Sequence, residues 1–109
     1  MTLIKSTLLV FVAVHSTLHA SPSFAADKTD DLQRYGRHLA RECTGCHHGT
    51  DGDGAIPTLN GRPAKEIVEL LQAYREGRKT NPVMVSVAKS LDDEQSAAVA
   101  AYFSSLQPP

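Results

Sequence analysis

An all-α fold is what this sequence predicts, and three observations carry the prediction. Apolar residues recur at helical spacing in three segments: Leu32, Tyr35 and Leu39; Ile67, Leu70, Leu71 and Tyr74; Val99, Tyr102, Phe103 and Leu106. Residues that start and stop helices bracket these segments, with Asp30 or Asp31, Pro63 and Asp92 in front and Gly77 behind the second. The two-residue alternation of a half-buried strand occurs nowhere.

The 109 residues include few aromatics and no Trp, and their formal charge is -1, which describes one small soluble domain and gives no footprint of nucleic-acid binding. Near the start, Lys5 precedes the uncharged run Ser6 to Val14, too short to span a bilayer. Small residues then flank Phe24 at Ser23 and Ala25, and the charged segment Ala26-Asp27-Lys28 follows. This pattern predicts an export signal over residues 1–25, cut after Ala25, and a folded domain over residues 26–109. Pro22 and the abrupt turn to charged sequence argue against a helix continuous with the fold; any helix there should pack poorly. Removing 25 residues leaves 84, with ten basic against twelve acidic. At that length an apolar core alone is marginal, and a staple or cofactor is expected.

In chain order, Ala26 to Asp31 read as frayed polar sequence, and Asp30 or Asp31 as the cap of a first helix over about Leu32 to Thr44. Leu32, Tyr35, Leu39 and Cys43 share one face. Gly36 and Ala40 form a small-residue stripe that lets another helix approach, at a cost in helix propensity.

Both cysteines fall in Cys43-Thr44-Gly45-Cys46-His47. A structural zinc site needs a second ligand pair, which the chain lacks. A thioredoxin-like redox pair needs an alternating strand and helix pattern, which is also missing. Covalent haem attachment uses every residue of the motif: thiols at i and i+3 add to the two vinyl groups of a porphyrin, and His47 ligates the iron. Export agrees with this, because thioether bonds protect the thiols from oxidation.

From His47 to Gly61 the composition is that of an irregular loop, and Asp51-Gly52-Asp53-Gly54 within it reads as turn chemistry, since the later ligands of a calcium loop are missing. Pro63 opens a second helix that runs to about Glu76. Arg75, Arg78 and Lys79 follow near its end, as a solvated face suited to the helix dipole or as a docking patch. Asn81-Pro82-Val83-Met84 breaks helicity before a short segment from Val85 to Ser90. Asp92, with Gln95 three residues on, caps a last helix that reaches about Leu106.

Past the export signal Met84 is the single methionine, and it is placed in a loop between helices. A lone Met is usually core filler, but an iron held by His47 has a second axial position, for which Met84 is the best candidate. His48 adjoins His47 and cannot easily reach the other haem face; His38 is the fallback ligand. Ligation by His and Met raises the potential, and filling both axial positions favours electron transfer over oxygen chemistry.

Over nearly the whole mature length, the chain resembles the bacterial class I cytochromes c. That family places a Gly seven residues before the first haem cysteine, met by Gly36, and an aromatic pair late in the last helix, met by Tyr102-Phe103; these should form the crossing of the terminal helices. It also places a Pro whose carbonyl accepts the Nδ1–H of the haem histidine, met by Pro57 in Ile56-Pro57-Thr58-Leu59. Arg78 to Met84 followed by Leu91-Asp92-Asp93-Glu94 looks like the family's methionine-ligand loop. Tyr74-Arg75-Glu76-Gly77-Arg78 and the closing Ala-Ala-Tyr-Phe-Ser-Ser-Leu resemble soluble periplasmic cytochromes and the cytochrome subunit of flavocytochrome c sulfide dehydrogenase. Relatives often carry two such domains; this chain has one haem motif.

The resemblance implies a class I cytochrome c fold of three to five helices around one covalent haem c, and a periplasmic carrier of single electrons. Cys43, Cys46, His47, Met84 and Pro57 hold the cofactor, with His47 and Met84 as iron ligands and no catalytic residue. Redox proteins are the expected partners, with Arg62, Lys65, Arg78 and Lys79 as docking candidates, and neither nucleic acid nor stable membrane insertion is expected. Two further readings are the electron-accepting subunit of an oxidoreductase such as a flavoprotein sulfide dehydrogenase, and an enzyme or sensor with an open sixth coordination site.

Overall fold

The computed structural model describes residues 23–48 and 56–109, and within them the chain is helical, with no strand. Its elements are α1 (Ser23–Leu39), α2 (Arg41–Thr44), α3 (Ala64–Arg75), α4 (Pro82–Ser90) and α5 (Asp93–Ser105). No described helix is long and apolar enough to cross a membrane. Residues 1–22 of the expected export signal and the Asp51 to Gly54 turn lie outside the described residues.

Helix α1 begins well before the expected cap, and Ala26 to Asp31 are helical rather than frayed. The only strong helix opponent between Ser23 and Leu39 is Gly36. Asp31 pairs with Arg34 one turn on (3.0 Å) instead of capping. This first part, from Ala26 to Asp31, is exposed throughout. The expected first helix divides at Ala40, whose N–H still donates to Gly36 O (2.8 Å), so α2 continues nearly the same path.

The main packing is α1 against α5. Gly36 is buried there, and a Cβ added to it would overlap the Ala98 carbonyl oxygen and come within 2.9 Å of Tyr102 Cβ. A side chain is therefore excluded by backbone, which no rotamer change relieves. Phe103 is fully buried behind the crossing, with its ring centroid 5.3 Å from that of Tyr102.

Helix α3 follows Pro63 and ends at Gly77, whose φ of +77° carries the chain out of the helix while Arg78 N–H closes on Ala73 O (2.9 Å). Ile67 and Leu71 are buried; Leu70 and Tyr74 are only half-buried. Helix α5 opens with a full capping box, Gln95 N–H donating to Asp92 Oδ1 (2.7 Å) and Asp92 N–H to Gln95 Oε1 (3.0 Å).

The segment expected to break helicity instead starts a helix. Asn81 is the N-cap of α4, its Oδ1 accepting from Val83 N–H and Met84 N–H (3.1 Å each), and Pro82 occupies the first turn. A proline there loses no intrahelical bond and has its φ already set. Met84 is thus in the first turn of α4 rather than in a loop.

Arg75 departs from the solvated-face reading. Its guanidinium donates to Ala88 O (3.3 Å), Asp93 Oδ1 (2.6 Å) and Ser96 Oγ (3.0 Å), tying α3 to α4 and α5.

Of the nine buried hydrophobic residues among those described, five are alanines: Ala40, Ala73, Ala88, Ala98 and Ala100. Many of the larger apolar side chains are only half-buried, and Leu59, Leu70, Tyr74, Met84, Val87 and Leu91 among them border a cavity.

Candidate cofactor site

The site begins where α2 ends. Cys46 N–H and His47 N–H both close on Cys43 O (3.2 and 2.9 Å), so the motif continues as a helical turn with the two cysteines three residues apart. Cys43 is half-buried, Cys46 is exposed, and neither is in a disulfide. Burial, with the Glu42 carboxylate acting in the same direction, pushes the Cys43 thiol above its ordinary pKa. A thiol so placed is poorly suited to act as a free thiolate nucleophile. Among the described residues no three His, Cys, Asp or Glu side chains cluster as a metal site.

His47 Nδ1 lies 2.7 Å from Pro57 O. A carbonyl only accepts, so Nδ1 carries the proton and Nε2 keeps its lone pair free. The chain carrying Pro57 is itself held: Thr58 is buried, Arg62 Nε donates to Thr58 O (2.9 Å), and Arg62 Nη1 is bonded to Glu66 (2.7 Å).

Cys43, Cys46, His47, Pro57 and Met84 all line one cavity of about 460 Å³. Its remaining walls are mainly apolar, with Ile67, Leu70, Leu71 and Tyr74 from α3, Val87 from α4, Leu91 from the α4–α5 link and Val99 from α5. Polar groups are few, among them Glu42, Lys79 and Asn81. A haem fits this donor set: an apolar slot for a macrocycle, a free imidazole nitrogen and a thioether as soft neutral ligands, and two thiols near each other for its vinyl groups.

His38 and His48 are exposed and do not line the cavity. The proposed docking cations do not form one free patch. Arg62 is bonded to Thr58 and Glu66, Arg78 to Glu76 (2.8 Å), and Lys65 faces Glu69 (3.6 Å). Lys79 Nζ lies 5.6 Å from the centre of the Tyr74 ring, at the cavity. Sequence reasoning missed Ile56 and Val83, exposed hydrophobics that line the cavity. It also missed the clamp at Arg75; the available signal was its position four residues after Leu71, on the buried stripe of α3.

A family model described as cytochrome C oxidase, cbb3-type, subunit III matches residues 19–103. The chain is 39% identical over 69 residues to cytochrome c-554(548) of Halomonas halodenitrificans, covering 58% of this chain and 82% of that protein. It is 36% identical over 73 residues to the cytochrome subunit of sulfide dehydrogenase of Chlorobaculum tepidum, covering 65% and 66% of the two chains. It is also 36% identical over 72 residues to cytochrome c4 of Azotobacter vinelandii, covering 59% of this chain but only 34% of that protein.

Proposed function

The chain belongs to the class I c-type cytochromes, and on that premise we propose that it carries single electrons between redox proteins in the periplasm, with haem c bound at Cys43 and Cys46 and ligated by His47 and Met84. The family binds haem c covalently and consists of electron carriers rather than enzymes. When bound, the haem iron supplies reversible one-electron chemistry.

What the protein's own residues contribute is placement. Pro57 O holds the Nδ1 proton of His47, which fixes the ring and raises the basicity of Nε2. Asn81 holds the turn that presents Met84. The apolar walls would shield a haem held between them from water. With His47 and Met84 both holding the iron, little would have to rearrange when its charge changes, and this would favour transfer over ligand chemistry. The observation that carries the reading is the meeting of His47, its Pro57 bond and Met84 at one cavity.

The test is direct. The exported protein should have the mass of a chain starting at Ala26 plus one haem, and its oxidised spectrum should carry the weak far-red band of an iron–sulfur bond. Met84→Ala should abolish that band and let carbon monoxide bind the reduced protein rapidly. Retention of the band would exclude Met84.

A second reading, as the electron-accepting subunit of a flavoprotein complex, is favoured by the similarity to the sulfide dehydrogenase subunit. Co-purification of a larger flavin-containing partner from the native source would support it; a monomeric protein in the soluble extract would favour the free carrier.

A further inference from the structure

We propose that Arg75 is a positioning residue for the Met84 side of the site, a hook that holds α4 and so sets how readily the methionine sulfur leaves. The inference rests on the reading of Met84 as an iron ligand.

The Ala88 carbonyl is among the last four of α4, beyond the reach of the helix's own backbone donors. Arg75 Nε supplies one (3.3 Å), from the last residue of α3. Nη1 and Nη2 of the same planar group reach Asp93 and Ser96 of α5, at 2.6 and 3.0 Å. One guanidinium therefore meets the negative end of α4 and, in the first turn of α5, an acid and a hydroxyl. Its side chain is 30% exposed while that of Asp93 is 95% exposed, so the buried anchors are Ala88 O and Ser96, which are almost wholly shielded from solvent.

Ala88 lies four residues after Met84, on the same face of α4 and one turn away. Asn81 holds one end of this nine-residue helix and Arg75 holds the other. Without the hook, α4 is held only by its Asn81 cap and its packing on α3, and it shifts more readily on α3 and takes Met84 with it. The planar fork serves all three acceptors at once, which a lysine ammonium cannot do.

Imidazole, which competes with the methionine sulfur, is the probe for the holoprotein in its oxidised form. Arg75→Gln should bind imidazole about tenfold more tightly than the parent, the equivalent of one lost charge-assisted hydrogen bond. Arg75→Lys should fall between, and Asp93→Asn should stay near the parent. General destabilisation is separated by titrating the parent in urea chosen to match the unfolding stability of Arg75→Gln; its imidazole affinity should remain low. If Arg75→Gln does not fold, Ser96→Ala, which removes one buried anchor, should show a smaller increase in the same direction. Equal affinities in Arg75→Gln and the parent, or a urea-matched parent as receptive as the variant, overturn the proposal. Failure of the underlying ligand reading looks different: Met84→Ala would then leave the far-red band and imidazole affinity unchanged.

Discussion

At the scale of single residues, the site depends on main-chain atoms that side chains hold in place. The acceptor for His47 is the carbonyl of Pro57, and no substitution removes a carbonyl. Its position instead depends on Arg62, which grips the next carbonyl, Thr58 O, while bonded to Glu66. Arg62→Lys keeps the charge but cannot span both acceptors. The His47 Nδ1–H bond should weaken, the imidazole should become less basic, and ferric iron should be less favoured. The reduction potential should therefore rise, by less than the roughly 60 mV that a tenfold shift in a one-electron equilibrium represents. Voltammetry of the purified protein checks the sign; a fall or no change would dissociate Arg62 from the histidine. The sequence made Pro57 legible through resemblance, but Arg62 was legible only as a surface cation, because its partners depend on how the loop folds back.

At the scale of elements, start and stop signals were legible wherever they act locally. Pro63, Gly77 and the Asp92–Gln95 box lie within a few residues of the groups they serve. Asn81-Pro82 acts equally locally, yet a proline is read as a break unless the N-cap before it is weighed. Asn81→Ala should cost about 1 kcal/mol of stability, as should Asp92→Ala. The two differ in site chemistry: loss of Asn81 frays the turn carrying Met84, so its far-red band should fade on warming before the helices melt, whereas with Asp92→Ala band and helix signal should be lost together. Gly36→Ala separates two opposing effects. Helix propensity favours Ala by about 1 kcal/mol. Overlap with the Ala98 carbonyl acts against it, and overpacking costs about 1–3 kcal/mol or more where backbone must move. The overlap should win by roughly 2 kcal/mol, lowering Tm by about 10 °C in a domain this small. A Tm equal to the parent's would show that α1 can slide on α5. The inward face of Arg75 was legible from its place after Leu71, but its partners were not, since they lie 13, 18 and 21 residues away in the sequence and only packing brings them together.

At the scale of the whole molecule, the cofactor has to act as core. Among the described residues five of nine buried hydrophobics are alanines, which bring little transfer energy, while Leu59, Leu70, Tyr74, Met84 and Val87 remain half-buried around the cavity. The volume of about 460 Å³ sets the scale. At about 24 cal/mol per Å³, leaving it empty would cost on the order of 10 kcal/mol, an upper bound because water can enter at the mouth. A core in a domain of this size supplies only about 3–5 kcal/mol. An unfilled cavity of this size works against so small a margin, and the chain without haem should hold these tertiary contacts poorly. A Cys43→Ala/Cys46→Ala chain, unable to attach haem, should keep part of its helical signal, chiefly from α1 and α5, whose crossing at Gly36, Ala98 and Tyr102 uses neither cysteine. Its melt should be broad and its amide spectrum poorly dispersed, against a cooperative transition for the haem-loaded protein. A cooperative melt of the double variant within a few degrees of the holoprotein would mean that helix packing alone carries the fold, and that the half-buried side chains close on one another when the haem is missing.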